Sequence, residues 1–521
     1  MLAFFLRFFA VGLPPLSDEA EFGYAGYSVL HTGKSEYGQK NPLLFVTPYA
    51  DHYPTIYSFT TIPFTVLFGL NPVSERLPSI LFGTFSCLLV FFLVSGFFSV
   101  PIGLVSALLM AINPWSLYYS RQGRFEMIGI FFMLLGIVLF QRAVNKRRGA
   151  LYLLSAGALG ISMLANDASK IVIPLLAIGL LVLYWSRVRK TKKHLVLFLG
   201  TGMVFCLLSA YMLFGAHQAG DFTRQSLVTS GQLADMVNSE RRLTTAPLWL
   251  ASMFHNKATV LIDRYLTSFF SIFSLNWFFQ NGAQMLTESI SRYGQYVLFE
   301  LPFFFIGIYL SFKKRAIGLF LLFWMMVANL PGTLTSGGYY TYRSVLLLPV
   351  PLIYSALGLS WAWKRVKSPA IRTVFIVFCV LCTSGFLFSL YFDYPVYATE
   401  ARSQQRVEAL SYATSVAHRF KTVYVAGNFE VLYAFMTSYD PGEFQNAYLN
   451  QQVYRGIPTI TLGKFVFGQF PMQEIATPSA YFPPQSLVVA DATSVPPGIA
   501  VVKKFTGPEP LRADYVALEI P

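Results

Sequence analysis

Three short stretches of this sequence gather residue types that could do chemistry. The first is Pro14-Pro15-Leu16-Ser17-Asp18-Glu19-Ala20-Glu21, directly after an apolar run. A carboxylate at that position can sit at the mouth of a cleft and take a proton from a hydroxyl. The same residues also fit a helix start, with Asp18 as N-cap and Glu21 as its capping-box partner. The second stretch, Asn113 to Glu126, holds Arg121, Arg124 and Glu126 where the chain turns back into an apolar run. Guanidinium groups grip phosphate oxygens through a planar fork of donors. The structural alternative is an interfacial anchor, with Arg snorkelling and Glu126 at a helix N-terminus. The third stretch is Gly337 to Arg343, with Tyr342 and Arg343 at its end.

Two lesser features stand beside these. Lys170 lies at the start of an apolar run with Asp167 three residues before it, a spacing that also suits a simple ion pair. Asp51-His52-Tyr53-Pro54 offers a pair that a divalent metal would accept, but no third ligand stands at a telling spacing. No metal ligand set is assigned, and no cofactor is otherwise implied. The sequence has no Walker-type P-loop, no G-x-S-x-G and no H-E-x-x-H.

The elements that must position these residues are membrane helices. Of 521 residues, 55% are hydrophobic and 12% charged, and the mean hydropathy is +0.52. Ordinary soluble domains carry about twice that charge. About eleven apolar runs are expected as spans, near 2–13, 77–98, 101–117, 125–141, 150–165, 169–186, 195–214, 294–311, 316–331, 343–361 and 371–391. The first is short for a crossing; it either packs against neighbours or continues a segment upstream of Met1.

The net charge of +14 invites a nucleic-acid reading, which the distribution of charge excludes. Lys and Arg cluster in four short loops: 142–148, 187–193, 313–315 and 364–372. None of the four contains Asp or Glu, and counting runs places all four on one side, the cytoplasmic one. The amino end then lies inside. The long connections 14–76 and 215–293 and the tail 392–521 lie outside, on a bacterial-type inner membrane. Amphipathic pieces such as 243–266 are expected in the second connection.

The tail changes composition: Pro, Gly, Ser and Gln rise and apolar runs stop. A helix is expected over 402–419, with strands at 422–426, 486–490 and 500–505, making a small soluble α/β domain. Residues 1–391 would form the membrane domain. Cys87, Cys206, Cys379 and Cys382 all fall in apolar stretches. The C-x-x-C of the last two sits on an expected membrane helix, so these read as packing residues.

Taken together, the segments resemble the polyprenyl-phosphate-dependent glycosyltransferases of the GT-C superfamily, in particular bacterial relatives of protein O-mannosyltransferases and lipid A aminoarabinose transferases. Asp18-Glu19-Ala20 and then Tyr27 to Gly38 look like that family's first outer loop. His52-Tyr53-Pro54-Thr55-Ile56-Tyr57 sits where the family shows a Pro-Pro-Leu-Tyr-like stretch. Arg76 to Gly83 is similar to the family's entry to the second span. Ser120-Arg121 with Phe125-Glu126 resembles its second acidic loop, and Tyr342-Arg343 before Leu348-Pro349 its late motif.

The resemblance implies a membrane helix bundle with an outward cleft and a sugar donor carried on polyprenyl phosphate. It implies a catalytic role for Asp18, with Glu19 beside it and Glu126 as second-loop acid. Arg121, Arg124, Lys170 and Arg343 are the implied holders of the donor phosphate, and His52, Tyr53 and Tyr342 line the cleft. The acceptor stays open between protein, lipid and glycan. Segment 268–282 lacks an acid that related bacterial chains often carry near its end, a departure that bears on acceptor recognition. Two other classes compete: a lipid-linked sugar flippase or transporter, and an enzyme like the O-antigen ligases. A transporter needs no acids and arginines gathered on one outer face; in a ligase the acidic pair after the first span is not expected.

Overall fold

The structure is a computed structural model. It describes residues 1–13, 17–40, 55–214, 230–283, 285–334, 341–399, 404–475, 477–496, 499–507 and 513–520. The described residues fall into two compact units. One comprises 1–9 and 79–388; the other comprises 10–40, 55–78 and 389–520.

The first unit is helical. Each apolar run expected above overlaps a helix. Among the described residues, six helical stretches are long and apolar enough to cross a bilayer, or eight if each of two bent pairs is one span. Leu2–Phe8 and Gly149–Ala165 fall short on length, and the 37-residue stretch Leu298–Leu334 takes in two of the expected runs. The bends have sequence causes. Val100–Ile112 and Pro114–Ser120 meet at 55°. Pro114 has no N–H to continue the first helix. Asn113 starts the second by accepting from the Ser116 N–H at 2.8 Å. The 3-10 turn Thr341–Leu347 meets Pro349–Arg365 at 48°, again at a proline.

Helices approach closely where glycine removes a side chain. Gly136 on Glu126–Lys146 faces Leu159 on Gly149–Ala165. Gly307 on Leu301–Ser311 lies against the carbonyl of Tyr354, and Gly358 on Pro349–Arg365 against that of Phe303. Small residues of this kind let backbones meet in a bilayer, where no hydrophobic force drives helices together.

The second connection holds Ser230–Arg242, Leu248–Phe254 and Lys257–Ser271. The last is amphipathic: Ile262, Leu266 and Phe270 form an exposed apolar stripe at helical spacing, while Lys257 and Arg264 lie off it.

The second unit is an α/β sandwich of one sheet and its helices. The strands are β1 (Thr422–Ala426), β2 (Gln452–Tyr454), β3 (Ile457–Leu462), β4 (Phe465–Gly468), β5 (Ser486–Asp491), β6 (Lys503–Thr506) and β7 (Ala513–Ile520). Their order is β2-β3-β4-β1-β5-β7-β6. β1 pairs parallel with β4 and β5, and the outer pairs are antiparallel. Central strands buried on both faces read as continuous apolar runs, which is why Thr422–Ala426 and Ser486–Asp491 were visible in sequence.

One face of the sheet carries Val423, Val425, Leu487 and Val489; the other carries Tyr424, Val488 and Ala490. The first face is covered by Gln404–Val416 and Glu430–Thr437, and its core also takes in Ala20 and Tyr24 of Ser17–Thr32. The first long connection therefore folds with the tail. Gln445 donates to Ser28 Oγ, Thr32 Oγ1 and the Ser35 carbonyl at 2.8–3.0 Å. Gly26 leaves room for Ser58 and Thr61 of Ile56–Phe68.

Candidate active site

In the first unit the 113–126 segment is tied to 286–295. The Asn113 amide donates to the Gln295 carbonyl at 2.9 Å, and the Tyr118 hydroxyl to the Leu286 carbonyl at 2.8 Å. Arg124 is the centre. Its Nη2 donates to the Thr287 carbonyl at 2.9 Å, its Nε to Gln122 Oε1 at 3.0 Å, and its Nη1 lies 3.9 Å from Glu126 Oε1. The guanidinium stands 5.6 Å from the centroid of the Tyr119 ring. Burial alone would weaken this cation, but Glu126, Tyr119 and Glu288 outweigh it and hold its pKa well above the usual arginine value. Glu126 is buried in the first turn of Glu126–Lys146, where the helix N-terminus also favours a negative charge.

Glu288 joins this cluster from the second connection. Its Oε2 accepts from the Tyr119 hydroxyl at 3.1 Å, from Thr341 Oγ1 at 2.7 Å and from the Tyr342 N–H at 3.3 Å. Tyr119 and Thr341 also touch each other through their hydroxyls. Two of the expected stretches, 113–126 and 341–343, thus meet through a residue that sequence reading did not single out. Segment 268–282 does lack an acid, and Glu288 stands six residues beyond its end. Nothing local marks it, because its partners lie 169 and 53 residues away.

The other cations are distributed around this cluster. Arg121 is buried and donates to the carbonyls of Leu6 and Phe9, at the C-terminal end of Leu2–Phe8. Arg343 is half-buried, with its guanidinium 5.2 Å from the Tyr342 ring. Lys170 is buried and pairs with Asp167 at 2.5 Å, the ion pair its spacing allowed. Its helix, Asp167–Leu183, packs against Thr341–Leu347 and Glu126–Lys146. Arg7 was not foreseen. It is fully buried and donates to Ser116 Oγ at 2.7 Å, Ser120 Oγ at 3.2 Å and the carbonyls of Ala3, Met110 and Ala111. It fixes the Pro114–Ser120 bend, and Gly83 makes room for its Nε.

In the second unit Asp18 lies in the first turn of Ser17–Thr32, half-buried. The helix includes Ser17, so Asp18 sits within the turn rather than as its cap. Glu19 next to it is fully committed. Its carboxylate faces Arg76 in a buried two-point pair, Nε to Oε1 at 3.0 Å and Nη2 to Oε2 at 2.5 Å. Arg76 also donates to the carbonyls of Val11 and Leu13 at 2.6 and 2.8 Å. This clamp fixes the chain on either side of residues 14–16 and so sets where Asp18 stands.

His52 and Tyr53 lie outside the described residues, as does Asp51. Among the described residues no three His, Cys, Asp or Glu side chains gather as a metal would need. The four cysteines are free thiols, with Cys87 buried and the other three partly so, as packing residues would be.

Against known proteins, a stretch of 172 residues, 51–222, matches the family model for dolichyl-phosphate-mannose-protein mannosyltransferases. YycA of Bacillus subtilis (strain 168), a mannosyltransferase by name only, is 32% identical over 123 residues, which is 24% of this chain and 17% of YycA. Two solved structures match nearly the whole chain. ArnT from Cupriavidus metallidurans, bound to undecaprenyl phosphate, superposes with a TM-score of 0.55 at 10% identity, covering 99% of this chain and 96% of that one. The apo oligosaccharyltransferase of Archaeoglobus fulgidus gives 0.53 at 13% identity, covering 94% and 68%.

The chain has a GT-C-like fold.

The resemblance read from the sequence is thus borne out at the level of architecture: a polytopic helical bundle with a small C-terminal sheet domain. Within this fold Glu288 and its neighbour Thr287 join Tyr119 and Arg124 of the second stretch to Thr341 and Tyr342 of the third.

Proposed function

We propose that this chain is an inverting glycosyltransferase. It would move a sugar from a polyprenyl-phosphate carrier to an acceptor hydroxyl at the outer face of a bacterial-type inner membrane. The observation that supports this most is the joining of two arginine-bearing stretches, 119–126 and 341–343, in one neighbourhood of a GT-C-like bundle. ArnT, bound to undecaprenyl phosphate, has that architecture.

The chemistry is the cleavage of a bond between an anomeric carbon and a phosphate oxygen. Phosphate leaves readily, so no protein acid is required. The acceptor oxygen attacks the anomeric carbon, the carbon–oxygen bond to phosphate breaks, and the carrier departs as polyprenyl phosphate. Asp18 orients the acceptor hydroxyl and takes its proton. Charge on the departing phosphate is met by fixed cations in a site shielded from bulk water. Arg124 and Lys170 already face carboxylates, Glu126 with Glu288 and Asp167 respectively. Their charge is partly offset, and Arg121 and Arg343 join them in holding the phosphate. His52, Tyr53 and Tyr342 belong to the walls of the cleft.

The test is transfer by purified protein from undecaprenyl-phosphate sugars. Asp18→Asn keeps the shape but removes the base, and transfer should fall by at least about a hundredfold. Wild-type rates in that variant would remove Asp18 from the mechanism. A transporter would move the lipid-linked sugar and release no polyprenyl phosphate, which separates the two classes.

A further inference from the structure

Glu288 is the one buried acid of the first unit's cluster to which neither the sequence motifs nor the mechanism gives a role. It is 5% exposed, and a single oxygen, Oε2, gathers three donors from two distant parts of the chain. The backbone is pinned as well. The Thr341 hydroxyl also lies 3.0 Å from the Glu288 carbonyl, and the neighbouring Thr287 carbonyl takes a bond from Arg124. Thr341 opens a 3-10 turn, a geometry that holds itself poorly over seven residues. An external acceptor at its first N–H groups is what such a turn lacks.

We infer that Glu288 is a positioning residue: it fixes the Thr341–Tyr342–Arg343 arm against Tyr119 so that Arg343 is held ready for the phosphate of the lipid carrier. The inference rests on the glycosyltransferase reading, and it adds a residue from the second outer connection to the donor side. Glu288 does not touch the phosphate itself; a carboxylate there would repel it. Its place is behind the arm, and its charge at the same time helps offset that of buried Arg124.

The experiment measures binding of undecaprenyl phosphate and of phosphate-free undecaprenol to the purified full chain in detergent. It is read with wild type, Glu288→Gln and Glu288→Ala. Gln keeps an acceptor for Tyr119 and Thr341, so its affinity for undecaprenyl phosphate should stay within a few-fold of wild type. Ala removes the acceptor, and affinity should fall roughly tenfold to a hundredfold, the usual cost of a misplaced binding group. Binding of undecaprenol should change in neither variant, because only the phosphate meets Arg343. Hydrogen exchange of residues 341–347 should rise in Glu288→Ala alone.

If Glu288→Ala binds both lipids as wild type does, or loses both equally, the positioning role is overturned and the functional reading stands. If wild type does not prefer undecaprenyl phosphate over undecaprenol, the functional reading falls first. Exchange at 341–347 then reports separately whether Glu288 holds the arm.

Discussion

At the scale of single residues, two buried carboxyls behave oppositely, and each yields a prediction. Glu36 is 1% exposed, and its Oε1 has no hydrogen-bond partner among the described residues, in a turn that follows Ser17–Thr32. Burial raises its pKa to about 7, against a small lowering by a backbone hydrogen bond. Tyr24, on the same helix, feels its charge and is itself raised by burial. A folded pKa above the unfolded value means the folded form keeps a proton that the unfolded chain gives up. Stability from this group is therefore complete below about pH 4.5 and is lost as pH rises to about 7, on the order of 3 kcal/mol in all. Unfolding of the wild type should be harder at pH 5 than at pH 8, and Glu36→Gln should flatten that slope. An unchanged slope in the variant would place the pH dependence elsewhere. Glu19, by contrast, is satisfied by Arg76 on both oxygens. Removing it takes from the buried Arg76 guanidinium its two-point carboxylate partner and leaves Glu75 as a weaker charge beside it. Glu19→Ala should cost roughly 3–5 kcal/mol of stability. The loss should appear in thermal unfolding before any assay of transfer.

At the scale of elements, the membrane helices were legible because apolar runs are local signals. The tail's central strands announced themselves by continuous Val and Ala, whereas the bends at Pro114 and Pro349 fall inside 101–117 and 343–361, which the sequence reads as single spans. The contacts between elements were not legible. Arg7 finds four of its five acceptors more than 100 residues away, and Glu288 reaches Tyr119 across 169. No spacing rule encodes such pairings, since they depend on how the helices cross. The glycines make this testable. A methyl on Gly307 would overlap the Tyr354 carbonyl, and one on Gly358 the Phe303 carbonyl, both backbone atoms that cannot rotate aside. Gly157 and Gly200 have nothing within 4 Å of an added methyl. Gly307→Ala should therefore destabilise the bundle by about 1–3 kcal/mol or more. Gly200→Ala should be neutral or gain up to about 1 kcal/mol of helix propensity. Thermal unfolding of the four single variants in one detergent reads the contrast, and equal shifts would mean the two helices do not meet as described.

At the scale of the whole molecule, the chemistry depends on which side of the bilayer the outer stretches face, and that depends on the parity of crossings. Between the basic loops 142–148 and 187–193 lie Gly149–Ala165 and Asp167–Leu183. Between 313–315 and 364–372 lie Arg315–Leu334 and the bent pair ending at Arg365. If each of these crosses, as the sequence predicts, two crossings in each interval return the chain to the same side. The interval between 187–193 and 313–315 is the decisive one. Besides Lys192–Phe214 and Leu301–Ser311 it contains Lys257–Gln280, which also passes for a span by length, though with the lowest mean hydropathy of the six, 1.2. Its first helix sorts its residues by face, with Ile262, Leu266 and Phe270 on one stripe and Lys257 and Arg264 off it. Such a helix lies in the interface rather than across the bilayer. If it crossed, the basic loops would fall on opposite sides, against the charge bias that sets topology. Single cysteines at exposed Arg148, Lys313 and Lys421, in a chain whose four native cysteines are replaced, decide the matter. A membrane-impermeant maleimide on intact cells should label Lys421→Cys and neither of the other two, and permeabilised cells should label all three. Labelling of Lys313→Cys but not Arg148→Cys from outside would make 257–280 a true span and give an even count. The tail would then lie on the same side as the first basic loop, and a lipid-linked donor outside could not reach residues near 341–343.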